Sequence, residues 1–235
     1  MTFDPVPSVK VTESHQSLPA RVLALFVAPR RLFSSLGDDA PWMGVLLLAT
    51  ALAAIAVVAE PPEFFLSQME DPVNRRGAPV EITSSPESIV LYGRMMAVLS
   101  AFAGHPMVAF AVAGLLSLVF SLIGGGQTPY RQYLVVVSPA LLIPSVGMLV
   151  AVLLRAITGD ADALPTIGGL IPGLSGSDWA SLVLNGINLF SLWMLAVLAI
   201  GVHALESRFT RARATTLLWG GYGALVVTTS LLFRA

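Results

Sequence analysis

The sequence predicts an all-α, polytopic membrane protein: five transmembrane helices preceded by short amphipathic interfacial helices. Three observations lead there. Of the 235 residues, 55% are hydrophobic and only 11% charged, whereas a soluble domain carries about 25% charged residues. Mean hydropathy is +0.80. Finally, five uncharged runs approach the roughly 20 apolar residues needed to cross a hydrocarbon core. A backbone in lipid must satisfy its own hydrogen bonds, and runs of this length do so as helices.

Residues 1–17 form a polar tail with Pro5 and Pro7 and no apolar stretch of signal-peptide type, so the first span is expected to insert as an uncleaved anchor. Residues 18–41 form the amphipathic interfacial segment. Leu18, Val22, Leu25 and Phe26 fall at i, i+4, i+7 and i+8, one face of a helix. Pro29 has no N–H to donate, so it ends that helix and starts a second one carrying Leu32, Phe33 and Leu36, with Gly37 as a stop. Two readings of this segment stand: an interfacial anchor or partner-binding element, or a helix pair packed beneath the bundle.

Residues 42–235 hold the membrane domain. The first span is Trp42 to Ala59, stopped by Glu60, Pro61 and Pro62. The second lies within the uncharged stretch from Met95 to Tyr130 and is long enough to tilt or kink. The third, Tyr133 to Leu154, is bracketed by Arg131 and Arg155, and Pro139 and Pro144 predict a break inside it. The fourth runs from about Leu182 to Leu205, the fifth from Thr215 to Phe233. Counting basic residues with the N-terminus inside puts eight on the cytoplasmic side and five outside. That favours a cytoplasmic N-terminus and an outward C-terminus.

Two outer loops follow from this order. Residues 60–87 form a polar insert whose Phe64 and Phe65 either pack back on the bundle or meet a partner. Residues Thr158 to Asp178 are rich in glycine and proline yet carry Ile167, Leu170, Ile171 and Leu174, so this loop is expected to dip into the interface.

The order "LFVAPRRLFSSLGDDAPW", then "YRQYLVVVSPALLIPSVGMLV", then "GINLFSLWMLAVLAIGVHALESRFTRARATTLLWGGYGALVVTTSLL" resembles the Yip family, the Ypt/Rab-interacting membrane proteins, in its bacterial branch. The likeness covers about Leu18 to Leu232 and rests on a proline-arginine lead-in, five spans, a proline-broken middle span and a small basic loop after the fourth. It implies a helical protein of the bacterial inner membrane with the orientation that the charge count favours. Eukaryotic members act with small GTPases in vesicle traffic, a system that bacteria lack, so the resemblance implies fold more than role. Twelve arginines against one lysine fit a GC-rich bacterial source.

Chemistry-bearing residues are sparse. His105, followed by Pro106, is an ionisable residue inside a span, either hydrogen-bonded across helices or part of a proton or ion path. Asn185 and Asn188 are three apart on the expected fourth span and would share a face, as polar glue or as a permeation site. His203 and Glu206 would share a face at its end, without the further ligand that a metal needs. Arg208, Arg211 and Arg213 in the loop after span four hold the hairpin inside and, beside Arg30 and Arg31, offer contacts to anionic lipid or an acidic partner. Ala109 and Ala113, and Gly220 and Ala224, are spaced four apart for close helix approach.

No cysteine, nucleotide loop, nucleophile-base set or metal set is present in the sequence, so no catalytic residue and no cofactor is expected. A net charge of -1 gives no basic field for nucleic acid. The expected function is a non-enzymatic accessory subunit or scaffold, in contact with the lipid bilayer and with other integral membrane proteins or its own copies. The alternative is a transporter or permeation protein using His105, the Pro139 to Pro144 break and the Asn185/Asn188 face.

Overall fold

The structure, a computed structural model, describes residues 17–36, 40–69, 85–125, 128–160, 163–171, 179–206 and 208–232. The polar tail, the Gly37 stop and parts of both outer loops (70–84, 161–162 and 172–178) lie outside the described residues.

The lead-in forms α1 (Leu18–Val27) and α2 (Pro29–Ser34), each with a proline in its first turn and Ala28 between them. Proline is tolerated there because those N–H groups have no intrahelical partner. Leu25, Leu32 and Phe33 are buried in the main core, whereas Leu23 and Val27 point outward. The packed reading thus holds for one face of the segment, and the other face remains apolar and exposed. Arg21 is buried too, its guanidinium donating to the Pro41 carbonyl. Burial lowers its pKa from the ordinary value, but an arginine stays charged at any physiological pH.

The expected first span corresponds to α3 (Met43–Val58), after which Pro61 and Pro62 turn the chain by 87° into α4 (Pro62–Gln68). Next comes α5 (Pro86–Gly124), 39 residues that run through Pro106 without interruption. At 1.5 Å per residue it is about 58 Å long, so it reaches beyond a hydrocarbon core of about 30 Å. The third pass is α6 (Tyr130–Ala140) and α7 (Leu142–Thr158), separated at Leu141 between the two prolines, as their positions predict. Gly159, at φ +69°, closes α7 in the left-handed conformation that favours glycine.

The expected fourth span is not one helix. It divides into α8 (Trp179–Gly186) and α9 (Leu189–Leu205), with the break at Ile187 and Asn188. The last helix is α10 (Arg211–Leu232). Among the described residues, α5 from Pro86 to Phe120 and the α6–α7 pass from Tyr130 to Thr158 are long and apolar enough to cross a membrane. A third span results if α3 and α4 are taken together. Helix α9 is apolar but reaches only 17 residues because Asn188 starts it late. Length and apolarity therefore give two to three spans, fewer than the five expected.

The core is uneven along the bundle. Large buried side chains gather around the N-terminal half of α3, the C-terminal half of α5, α6, the start of α7 and the C-terminal half of α9: Phe120, Tyr133, Leu142, Ile143, Leu198. Ala109 and Ala113 are fully buried in this cluster, so their small size serves internal packing. Gly220 and Ala224 instead lie on the exposed side of α10. Towards the opposite end, only Ala53, Ala54 and Ala101, with Met148, form a second small cluster. There α5 and α7 stand apart, and a cavity lies between them.

Candidate functional site

The cavity measures about 930 Å³. Its floor comes from the end of α3, its walls from α5 between Tyr92 and His105 and from α7 between Pro144 and Arg155, and its cap from Phe64 and Phe65 of α4. Asn188 and Ser191, at the start of α9, complete it.

Glu60 and Arg155 close one end. Each directly follows or ends a span, and both are buried, at 7% and 8% exposure. They form an ion pair through Glu60 Oε1, while Glu60 Oε2 has no hydrogen-bond partner. Cations near a helix C-terminus are favoured by the backbone dipoles, which suits Arg155 in the last turn of α7. Its guanidinium also lies 4.4 Å from the centroid of Phe64. From α5, Arg94 donates to the Glu60 carbonyl at 3.2 Å and lies 5.9 Å from the Phe65 ring centroid. Of the two readings of Phe64 and Phe65, packing back on the bundle is the one realised: Phe65 is buried, and a Cβ at Gly93 would collide with its ring.

At the other end, His105 Nε2 is 3.2 Å from Ser145 Oγ, which also donates to the Leu141 carbonyl at 2.9 Å. The Leu141 carbonyl and the His105 ring compete for the one Ser145 hydroxyl proton, so which of Nε2 and Oγ donates follows the tautomer of His105.

The two asparagines separate. Asn188 is not on a helix face; it caps α9, its Oδ1 accepting from Phe190 N at 2.9 Å and Ser191 N at 3.4 Å. Asn185 stays on α8, against Gly168, where any Cβ would strike its side chain. A capping asparagine competes for backbone N–H groups that a continuing helix would use, and this is why the expected shared face does not form. The loop fills the break: Ile167 N donates to Ile187 O at 3.0 Å, and Leu189 N to Pro165 O at 3.1 Å. Tyr222 of α10 donates to Gly186 O at 3.2 Å. Interrupted backbone is tolerated where protein satisfies it in this way.

His203 and Glu206 also part. His203 Nδ1 pairs with the Phe209 carbonyl at 2.8 Å, and Glu206, buried, accepts from Tyr133 Oη at 2.7 Å. Among the described residues no three His, Asp or Glu side chains come together as a metal set. Arg30, Arg31, Arg208, Arg211 and Arg213 are all exposed. Because α2 packs on the C-terminal end of α9, through Phe33 and Gly201, the five share one end of the bundle.

Sequence reasoning missed both clamps, Glu60 with Arg155 and Tyr133 with Glu206. The signal was in the expected order: alternation of the five expected spans would place the ends of the first and third on one side, and the start of the third and end of the fourth on the other.

The chain is 27% identical over 187 residues to "Membrane protein YknW" of Bacillus subtilis (strain 168), an alignment covering 77% of each protein. No family model matches the chain, and no solved structure matches it. With its long apolar helices, this distant homology makes the chain an integral membrane protein related to YknW.

Proposed function

We propose that the protein is a non-enzymatic, five-span, Yip-like protein of a bacterial inner membrane that works as an accessory subunit, docking other membrane proteins on its flank. The observation that carries this reading is α5. Only 17% of its apolar window is buried by the rest of the chain, against 67% for the α6–α7 pass. Leu99, Phe102, Met107 and Phe110 stand exposed along it. Unlike water, lipid tails exert no hydrophobic drive towards association, so partners on such a face would be held by packing and by a few polar contacts. The two clamps, at opposite ends of the bundle, support alternating passes and thus the five-span count. The five exposed arginines at the α2 end support a cytoplasmic placement of that end.

The test is site-specific photocrosslinking in the native membrane from Leu99 and Phe102, with buried Phe120 as control. A reproducible protein adduct from the two exposed positions alone is the expected result. Lipid adducts alone would overturn it.

A second reading has one observation in its favour: the cavity touches His105, Pro144 and Asn188, and both interrupted passes border it. Permeation of a small solute would use this path. Solute flux into proteoliposomes that His105→Phe abolishes would establish it; flux unchanged by that substitution would count against it.

A further inference from the structure

We propose that the five exposed arginines form a binding surface for the heads of anionic phospholipids, whose tails lie on the apolar side chains beside them. The reading goes beyond partner docking on α5 and does not depend on it.

Charge comes first. Arg30 and Arg31 stand in the first turn of α2, Arg208 between α9 and α10, and Arg211 and Arg213 in the first turn of α10, all exposed at one end of the bundle. Arg208 donates to the Gly125 carbonyl at 3.5 Å, which brings the end of α5 to the same place. The side chains of the other four make no hydrogen bond or ion pair among the described residues. The first turns of α2 and α10 hold no acidic residue, and Glu206, just before this loop, is buried on Tyr133. Asp38 and Asp39 lie outside the described residues; counting both against the five arginines still leaves three positive charges in excess. The opposite end behaves differently, for there Arg155 is paired inside the protein with Glu60. Like charges gathered without counter-ions of their own draw anions to their end of the molecule.

Apolar neighbours decide which anion. Val27 is exposed three residues before Arg30, and Leu217 four residues after Arg213, about 6 Å further along α10 at 1.5 Å per residue. Leu23 of α1 and Met43 at the start of α3 are exposed as well. Helix α1 thus has one face in the core and an apolar face outward, with cations at its end, the form of a helix that lies at a bilayer interface. An arginine stem runs along apolar surface while its fork reaches the polar side, and that fork matches a phosphate bidentately.

A phospholipid offers phosphate immediately above hydrocarbon and so meets both halves of this surface. An acidic segment of another protein would meet the arginines and leave Leu23 and Val27 uncovered. Among lipid heads, one of net negative charge is favoured, because the cation of a choline or ethanolamine head offsets its own phosphate.

The full-length protein, immobilised in detergent and offered equal amounts of phosphatidylglycerol, phosphatidylethanolamine and phosphatidylcholine with identical chains, is washed, and the retained lipid is counted by mass spectrometry. Detergent solution takes the direction of membrane insertion out of the question. The expected result is phosphatidylglycerol favoured about tenfold or more, as two arginines beside an anionic head imply. That preference should vanish on washing in about 1 M salt, where the Debye length falls to about 3 Å, and in the variant with all five arginines changed to glutamine. Equal retention of the three lipids by the unmodified protein, or a preference that persists in the folded variant, would overturn the proposal. Displacement of the lipid by inorganic phosphate, but not by chloride at equal ionic strength, would assign the surface to a free anion instead. Equal retention together with arginine-dependent binding of polyglutamate would assign it to an acidic protein. The lipid and salt comparisons need no variant, so they decide the matter even if the substitutions misfold.

Discussion

Glu60 and Arg155 form a buried ion pair that ties the C-terminal end of α3 to that of α7. Removing one partner strands the other charge in a low dielectric. Arg155→Met should therefore destabilise the protein by about 3–5 kcal/mol, whereas Glu60→Leu with Arg155→Met should recover much of the loss. Thermal unfolding in detergent measures both; equal melting temperatures for the single and double variants would contradict this.

At the opposite end, Tyr133 and Glu206 join α6 to the end of α9. Tyr133→Phe keeps the ring but leaves the Glu206 carboxylate short of a donor, at a cost of about 1–3 kcal/mol. The same melting assay reads it, and a neutral outcome would mean that water takes the phenol's place.

Gly147 lets Phe190 lie against α7, since a Cβ there would come within 2.6 to 2.9 Å of the Phe190 side chain. Gly147→Ala should cost about 1–3 kcal/mol through overpacking. Phe190→Ala in the same chain, which removes Cγ and the ring, should relieve part of it. No relief would indicate that the backbone, and not the ring, sets the spacing.

The five exposed arginines Arg30, Arg31, Arg208, Arg211 and Arg213 should matter little to packing and much to orientation. Replacing all five with glutamine is expected to leave the melting temperature nearly unchanged while reducing the fraction inserted with that end inside. Because the natural chain has no cysteine, a single cysteine placed at Ala212 reports the side directly by membrane-impermeant labelling.

Much of the fold was legible because it follows from local rules. Pro29 separates α1 from α2, Pro61 and Pro62 end α3, and Pro139 and Pro144 bracket the Leu141 break. Each is a proline with no N–H to offer a helix. The fourth pass misled because an apolar run looks the same whether or not an asparagine caps it midway; "GIN" before Leu189 carried a capping signal. The cavity was not legible. It arises where α5 and α7 diverge, and helix spacing depends on which small residues meet across the bundle, as at Gly93 and Gly147. Of the candidate residues, His105 and Asn188 reach the cavity, whereas Asn185 and His203 serve contacts elsewhere.

Gentle purification of the tagged protein from its native membrane, with mass spectrometry of what stays bound and an unrelated five-span protein as control, tests the accessory role most directly. A reproducible, stoichiometric membrane-protein partner that is absent from the control is the predicted result. Recovery of the protein with lipid alone would contradict it and favour the permeation reading of the cavity.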